Sequence, residues 1–254
     1  PETKNGQQPV VLMPNPFYQV YAVAALSVSA EPVYVAATEE TGHLPDYAAL
    51  PDEILSRTSI AYICSPANPQ GAVASEDYWR TLIALAEKHE FRIFADECYS
   101  EIYRDAPPVG ALEVAARMGA DPERVVIFHS LSKRSNLAGY RAGLVLGDPA
   151  LVGELLAVRK HAGMIVPMPV QAAMTAALED DAHVATQKAR YATRRAVLLD
   201  ALHSAGFRVD HSQAGLYLSR ITVEFDAVTF WVGDEVSPLQ ASAILASGTA
   251  GGLL

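Results

Sequence analysis

Ile60-Ala61-Tyr62-Ile63-Cys64 is an unbroken apolar run, and it stops at Ser65-Pro66-Ala67-Asn68-Pro69-Gln70-Gly71. A short apolar run bounded by Pro and Gly reads as a buried strand entering a turn. Ser75 then has the chemistry of a helix N-cap, with Glu76 and Asp77 placed to complement the dipole of the first turn. Trp79, Leu82, Ile83 and Ala86 follow at i, i+3, i+4 and i+7, which is one face of a helix. Arg92-Ile93-Phe94-Ala95 is a second strand, and it stops at Asp96. Strand, helix, strand in this order predicts a βαβ unit with parallel pairing.

The same alternation extends in both directions. Upstream, Val10-Val11-Leu12-Met13 reads as a strand, residues 17–26 as a helix and Pro32-Val33-Tyr34-Val35 as the next strand. Downstream, Val125-Val126-Ile127-Phe128 stops at His129-Ser130, and a strand over residues 142–146 is closed by Gly147-Asp148-Pro149. The expected fold is α/β, a three-layer α/β/α domain with a mostly parallel sheet. Near-continuous apolar strands fit a sheet covered on both faces. From Val170 the pattern is helical. Residues 180–205 read as one long helix, with Val184, Tyr191, Leu198 and Leu202 at helical spacing and Gly206 as its stop. Phe207-Arg208-Val209 then opens a new strand. Residues 1–182 are therefore expected to form a large domain, and residues 183–254 a smaller α+β domain reached by the long helix. Gly248-Thr249-Ala250-Gly251-Gly252 reads as a poorly ordered end.

Composition narrows the classes. The 254 residues carry 19 basic and 29 acidic side chains, a net charge of −10, which argues against a nucleic-acid binder that must displace phosphate counterions. Two cysteines, Cys64 and Cys98, are too few for a disulfide framework, so the cytoplasm is the expected compartment. No apolar run approaches the ~20 residues that span a bilayer.

In a parallel sheet the ligand sits at the carboxyl ends of the strands, and the polar motifs fall there. They are Asn68-Pro69-Gln70-Gly71, Asp96-Glu97-Cys98-Tyr99, Ser130-Leu131-Ser132-Lys133 and Gly139-Tyr140-Arg141-Ala142-Gly143. Singly each is weak: an Asn-Pro turn is usually only a turn, and an Asp after a strand is usually a cap. Together they offer an amine nucleophile, a carboxylate, a phenol, an amide and a Ser/Arg pair suited to a phosphate. That inventory matches the needs of pyridoxal phosphate: a lysine for a Schiff base, a carboxylate beside the pyridine nitrogen, donors for the ring oxygen and a cation with hydroxyls for the phosphate.

In these motifs the sequence resembles the fold-type I, class I/II aminotransferases over roughly residues 8–218. Within them it looks most like the bacterial succinyldiaminopimelate transaminases of lysine biosynthesis, through the segments Met13-Pro14-Asn15-Pro16-Phe17-Tyr18-Gln19-Val20-Tyr21, Cys64-Ser65-Pro66-Ala67-Asn68-Pro69, Asp96-Glu97-Cys98-Tyr99-Ser100-Glu101-Ile102-Tyr103 and His129-Ser130-Leu131-Ser132-Lys133-Arg134-Ser135-Asn136. The resemblance implies pyridoxal 5'-phosphate as cofactor. It makes Lys133 the Schiff-base lysine and proton shuttle, and Asp96 the carboxylate on the pyridine nitrogen. Tyr99 and Asn68 become the donors to the ring oxygen, Ser130, Ser132 and Arg141 the phosphate ligands, and Tyr18 the aromatic stacked on the ring. It implies ping-pong exchange between an amino acid and 2-oxoglutarate, and a homodimer. Cys98 reads better as a small buried hydrophobe, and His129 receives no role.

Two family features have no counterpart. The glycine-rich phosphate turn would precede Pro1, and past Leu218 no arginine matches the one that grips the substrate carboxylate. Arg220, the one basic residue among the last 36, lies too early. The expectation is a fragment with an incomplete small domain and an atypical tail lacking the usual strands. Other fold-type I enzymes, such as a different amino-acid transaminase or a C–S lyase, and an inactive cofactor-binding remnant, remain as alternatives.

Overall fold

The structure is a computed structural model that describes residues 3–163, 165–222 and 227–231. The expected tail end at residues 248–252 lies outside the described residues.

The first expectation holds closely. The apolar run becomes β3 (Thr58–Cys64), after β1 (Val10–Asn15) and β2 (Glu31–Ala36), and β4 (Arg92–Asp96) follows it. With β5 (Val125–Ser130) and β6 (Gly143–Leu146) they form one six-stranded sheet in the order β2-β1-β3-β4-β5-β6. The first five strands are parallel and β6 is antiparallel to β5. The chain leaves β1 for β2 on one side and returns to add β3 on the other, so the winding reverses beside β1. A crevice outside the strand ends opens at such a reversal.

Between β3 and β4 the chain forms α3 (Glu76–His89), and its cap is the one the sequence predicts. Ser75 Oγ accepts from the Tyr78 N–H at 3.1 Å, and Trp79, Leu82, Ile83 and Ala86 are its buried residues. That face meets alternate strand positions: Val10 and Leu12, Ala61 and Ile63, Ile93 and Ala95, Val125 and Ile127. α4 (Ala111–Met118) joins them with Ala111, Val114 and Ala115. The intervening positions, Val11, Met13, Ile60 and Tyr62, point to the opposite face, where Tyr21, Ala22 and Ala25 of α1 (Gln19–Ser27) cover them. Cover on that side is thinner than the apolar strands predict. Phe94 and Phe128 stay half-buried there, and α6 (Pro149–His161) and α7 (Met168–Leu178) bury no residue. A short helix, α2 (Asp52–Arg57), precedes β3, and a four-residue turn of helix, α5 (Leu131–Arg134), follows β5.

α8 (Asp181–Ser204) is the predicted long helix, capped by Asp180 and burying Val184, Tyr191, Leu198 and Leu202. It leads into a second, antiparallel sheet of β7 (Arg208–His211), β8 (Tyr217–Thr222) and β9 (Ala227–Trp231). This corrects the reading of the tail. Strands continue past Leu218, and they were illegible because short, mixed polar and apolar segments there lack a clean alternation.

Gly143 fixes the last junction of the main sheet. It pairs with Ser130, and a Cβ built on it would stand 2.8 Å from the His129 carbonyl oxygen, which is backbone and cannot swing away. Gly143→Ala is expected to cost about 1–3 kcal/mol, the usual cost of overpacking, read as a lower urea midpoint with an unchanged m-value. An unchanged midpoint would show that β5 and β6 can part without strain.

Candidate active site

Four of the five parallel strands deliver a polar segment to the same edge. β1 ends at Asn15 and is followed by Tyr18, β3 by Asn68, β4 ends on Asp96 and β5 on Ser130. In register, Cys64 lies opposite Asp96 and Asp96 opposite Phe128. A cavity of about 320 Å³ opens there, and all eight sequence-predicted residues line it: Tyr18, Asn68, Asp96, Tyr99, Ser130, Ser132, Lys133 and Arg141. Its volume is within the range of small-molecule sites.

Asp96 is the most firmly held of them. The Tyr21 hydroxyl donates to its Oδ2 at 2.6 Å and the Cys98 backbone N–H to its Oδ1 at 3.2 Å. Tyr21 is itself fixed, its ring stacked on Tyr62 of β3 at 4.3 Å between centroids. Burial, and then the nearby Cys64 and Asp96, push the Tyr21 phenol far above its ordinary pKa, so it remains a donor. The sequence reading gave Tyr21 no role, although its position three residues after Tyr18 puts the two on neighbouring helical positions. Their rings meet edge to face at 5.9 Å. Tyr18 is 55% exposed, so one side of it is open.

Tyr99 is 6% exposed, and its hydroxyl lies 3.3 Å from that of Tyr217. Burial first, and Tyr217 second, raise its pKa well above the ordinary phenol value. Tyr217, 118 positions away, also lines the cavity and escaped the sequence reading, since nothing local marks it. The Asn68 turn is tied to the same distant segment. Gly71, with φ +67°, accepts on its carbonyl from the N–H groups of Gln213 and Ala214, both at 3.0 Å. A Cβ on Gly71 would fall 2.7 Å from the Ala214 oxygen.

Lys133 sits in α5, and its amine has no hydrogen bond or ion pair among the described residues. Ser130 Oγ caps α5, accepting from the Ser132 N–H at 3.1 Å. Arg141 has a left-handed backbone, φ +52°, and one arm of its guanidinium donates to the Ala138 carbonyl at 2.9 Å, with the rest of the fork uncommitted among the described residues. Arg134 turns away from the cavity, donating to the Ala177 carbonyl at 2.8 Å and to Asp181 at 3.1 Å. Cys98 lines the cavity, and burial followed by Asp96 raises its thiol, which agrees with an inert, hydrophobe-like role.

Glu97 points the other way. Its Oε1 accepts from the Ala111 N–H at 2.8 Å at the start of α4, and its Oε2 lies 3.7 Å from His129 Nε2. Burial pushes its pKa up to about 7, against the opposing pull of the Ala111 N–H. His129 is lowered, chiefly by burial.

A mostly parallel sheet with a polar cavity at its carboxyl edge is the α/β arrangement in which small molecules bind at the strand ends. A model of the family "Aminotransferase class I and II" matches residues 3–231, so the chain belongs to that family, whose members use pyridoxal 5'-phosphate. The match runs past Leu218, as β8 and β9 do. The transaminase OxyQ of Streptomyces rimosus, named for 4-dedimethylamino-4-oxo-anhydrotetracycline, is 55% identical over 159 residues, covering 63% of this chain and 44% of its own. "Probable aminotransferase Rv1178" of Mycobacterium tuberculosis is 54% identical over 160 residues, covering 63% and 38%. LL-diaminopimelate aminotransferase of Dehalococcoides mccartyi is 35% identical over 213 residues, covering 82% and 53%. The chain thus spans about half the length of these relatives, or less. Among solved structures, an aminotransferase of Neisseria meningitidis superposes with a TM-score of 0.80 at 36% identity, covering 86% of this chain and 55% of that one. An enzyme titled as a probable N-succinyldiaminopimelate aminotransferase, from Thermus thermophilus, gives 0.76 at 26% identity, covering 87% and 59%.

The raised Glu97 carboxyl makes stability depend on pH. Between its ordinary value of 4.5 and about 7, the folded chain holds a proton that the unfolded chain has released. Its contribution, on the order of 3 kcal/mol, is complete below pH 4.5 and drains as pH rises to 7. The melting temperature of Glu97→Gln minus that of wild type should therefore rise between pH 4.5 and 8. A flat difference would contradict the assignment.

Proposed function

We propose that this chain carries the cofactor-binding core of an aminotransferase that moves an amino group from N-succinyl-LL-2,6-diaminopimelate to 2-oxoglutarate, a step of lysine biosynthesis, with pyridoxal 5'-phosphate as cofactor. The observation that carries the reading is the convergence of eight polar and aromatic side chains, from four strand ends and the turn before β6, on one cavity. Membership of the family supports transamination. The wording of the motifs, and the likeness to the Thermus thermophilus and Dehalococcoides mccartyi enzymes, support a diaminopimelate-type donor.

The residues present fit the cofactor. An amine and a guanidinium arm without a partner among the described residues, beside two serines, and a carboxylate braced from behind by a phenol are the donor set it requires. Pyridoxal 5'-phosphate supplies, when bound, an electron sink for the pair left at the substrate α-carbon when its proton departs. Lys133 would bind it covalently, and its freed Nζ would take the α-proton and return one in the reverse direction. Asp96 would hold the pyridine N–H, its orientation locked by Tyr21. Asn68 and Tyr99 would donate to the ring oxygen. Ser130, Ser132 and Arg141 would hold the phosphate, and the open face of Tyr18 would cover the ring. Residues 1–182 form the cofactor-binding domain in this reading, and 183–254 contribute Tyr217 from a second one. The working unit is a homodimer, supported by the exposed apolar side chains Val20, Val23 and Leu26 of α1, and by α6 and α7, which bury nothing.

One observation favours a second substrate reading. The OxyQ identity exceeds that of the diaminopimelate enzymes and points to a polycyclic 4-oxo acceptor. Glutamate formation from 2-oxoglutarate separates the two when N-succinyl-LL-2,6-diaminopimelate, LL-diaminopimelate and other amino donors are compared. The succinylated donor is expected to give the highest kcat/KM, and Lys133→Ala to abolish turnover. Turnover only with a polycyclic ketone would move the assignment to the OxyQ type. Tyr21→Phe removes a hydrogen bond to a carboxylate, worth about 1.5–3 kcal/mol. It should weaken cofactor retention by roughly tenfold or more in equilibrium dialysis, while the fold persists. Unchanged retention would place Asp96 away from the cofactor.

A further inference from the structure

A second cleft, of about 390 Å³, shares no lining residue with the candidate active site. It opens between α8 and the segments 102–104 and 215–216. One packed cluster stands between the two. Cys64 and Tyr99 line the candidate active site, while Ile102, Tyr191 and Leu216 of the same cluster line the cleft.

The chemistry of this cleft is lopsided. Ile102, Tyr191 and Leu216, with the alanines of α8, make most of its surface apolar. Three cationic side chains, Arg104, Lys188 and Arg195, line it as well, and among its described lining residues none is acidic. Arg195 is 8% exposed. Its guanidinium donates to the Ser212 carbonyl at 3.0 Å and weakly to the Tyr217 carbonyl at 3.4 Å, and its buried Nε has no partner among the described residues. Both acceptors are neutral, so among the described residues carbonyl dipoles alone offset that charge. Burial, and then the neighbouring Arg104, pull its pKa down to about 10. Arg104 donates to the Gln213 carbonyl at 3.1 Å, with Asp105 beside it in the chain. Lys188 lies over the ring of Tyr103. A buried cation without a carboxylate is costly, and an anion entering between Lys188 and Arg104 would relieve the mutual repulsion of Arg104 and Arg195. An apolar lining with cations at its margin matches an anion that carries an apolar body.

We propose that this cleft is a binding site for a small organic carboxylate, with its apolar body against Ile102, Tyr191 and Leu216 and its carboxylate between Lys188 and Arg104. The site is separate from the candidate active site and needs no cofactor.

Calorimetric titration of the full 254-residue chain tests it, with 3-phenylpropionate as the probe. The comparators are 3-phenylpropanol, which has the same body without the charge, and inorganic phosphate, which has charge without the body. The acid should bind saturably and more tightly than either comparator. Affinity should fall by roughly tenfold or more in Lys188→Gln and in Arg104→Gln. Both positions are exposed or half-buried, so the fold, followed by circular dichroism, should persist, and Lys133→Ala should bind as wild type does. The proposal is overturned by the absence of saturable binding, by equal binding of the alcohol, or by phosphate binding as tightly as the acid. It is equally overturned if binding survives both substitutions or is lost in Lys133→Ala, which would place the acid in the other cavity.

Discussion

The Tyr21–Asp96 hydrogen bond is the interaction on which the cavity depends. A carboxylate oxygen at the end of a buried strand must be given donors, because burial without them costs several kcal/mol. Here one donor is the Cys98 N–H just downstream, and the other comes from a helix 75 positions upstream. That helix can deliver a phenol to β4 only because α1 lies across β1 and β3, with Tyr21 stacked on Tyr62. The alternation along β1, β3 and β4 therefore serves two ends. One set of side chains builds the core with α3 and α4, and the other sets the aromatic bed that aims Tyr21.

The far side of the cavity depends on the second sheet. Tyr217 stands at the head of β8 with its hydroxyl beside that of Tyr99, and the Gly71 carbonyl is held by the 213–214 segment. Leu216 and Tyr191 close the packing behind Tyr99. The Asn68 turn and Tyr99 are thus positioned by residues more than 90 positions downstream. Disturbing α8 or the 212–216 segment should reach the cavity without touching a residue that lines it.

What the sequence could show follows from the range of each interaction. The strand–turn–helix around Cys64 to Ala86 was legible because its signals are local: an apolar run, a Pro/Gly turn, a Ser cap and a helical stripe. Seven of the eight predicted cavity residues were legible because they fall in polar motifs beside strand ends, where a parallel sheet gathers its ligand, and Tyr18 was legible only through the resemblance to the aminotransferase motifs. Tyr21 was half-legible, through its spacing from Tyr18. Tyr217 and the buried Glu97, paired with His129 outside the cavity, were not, since each gains meaning only through a partner fixed by the tertiary fold. β8 and β9 escaped because short antiparallel strands with mixed faces lack the apolar runs that betray the parallel ones.

The most direct test of the account is the covalent site of the cofactor. Incubating the chain with pyridoxal 5'-phosphate, reducing with borohydride and mapping the peptides by mass spectrometry reads it without requiring turnover. The account predicts one stoichiometric adduct, on the peptide that contains Lys133, and its disappearance in Lys133→Ala. An adduct spread over surface lysines, or none on a folded chain, would contradict it.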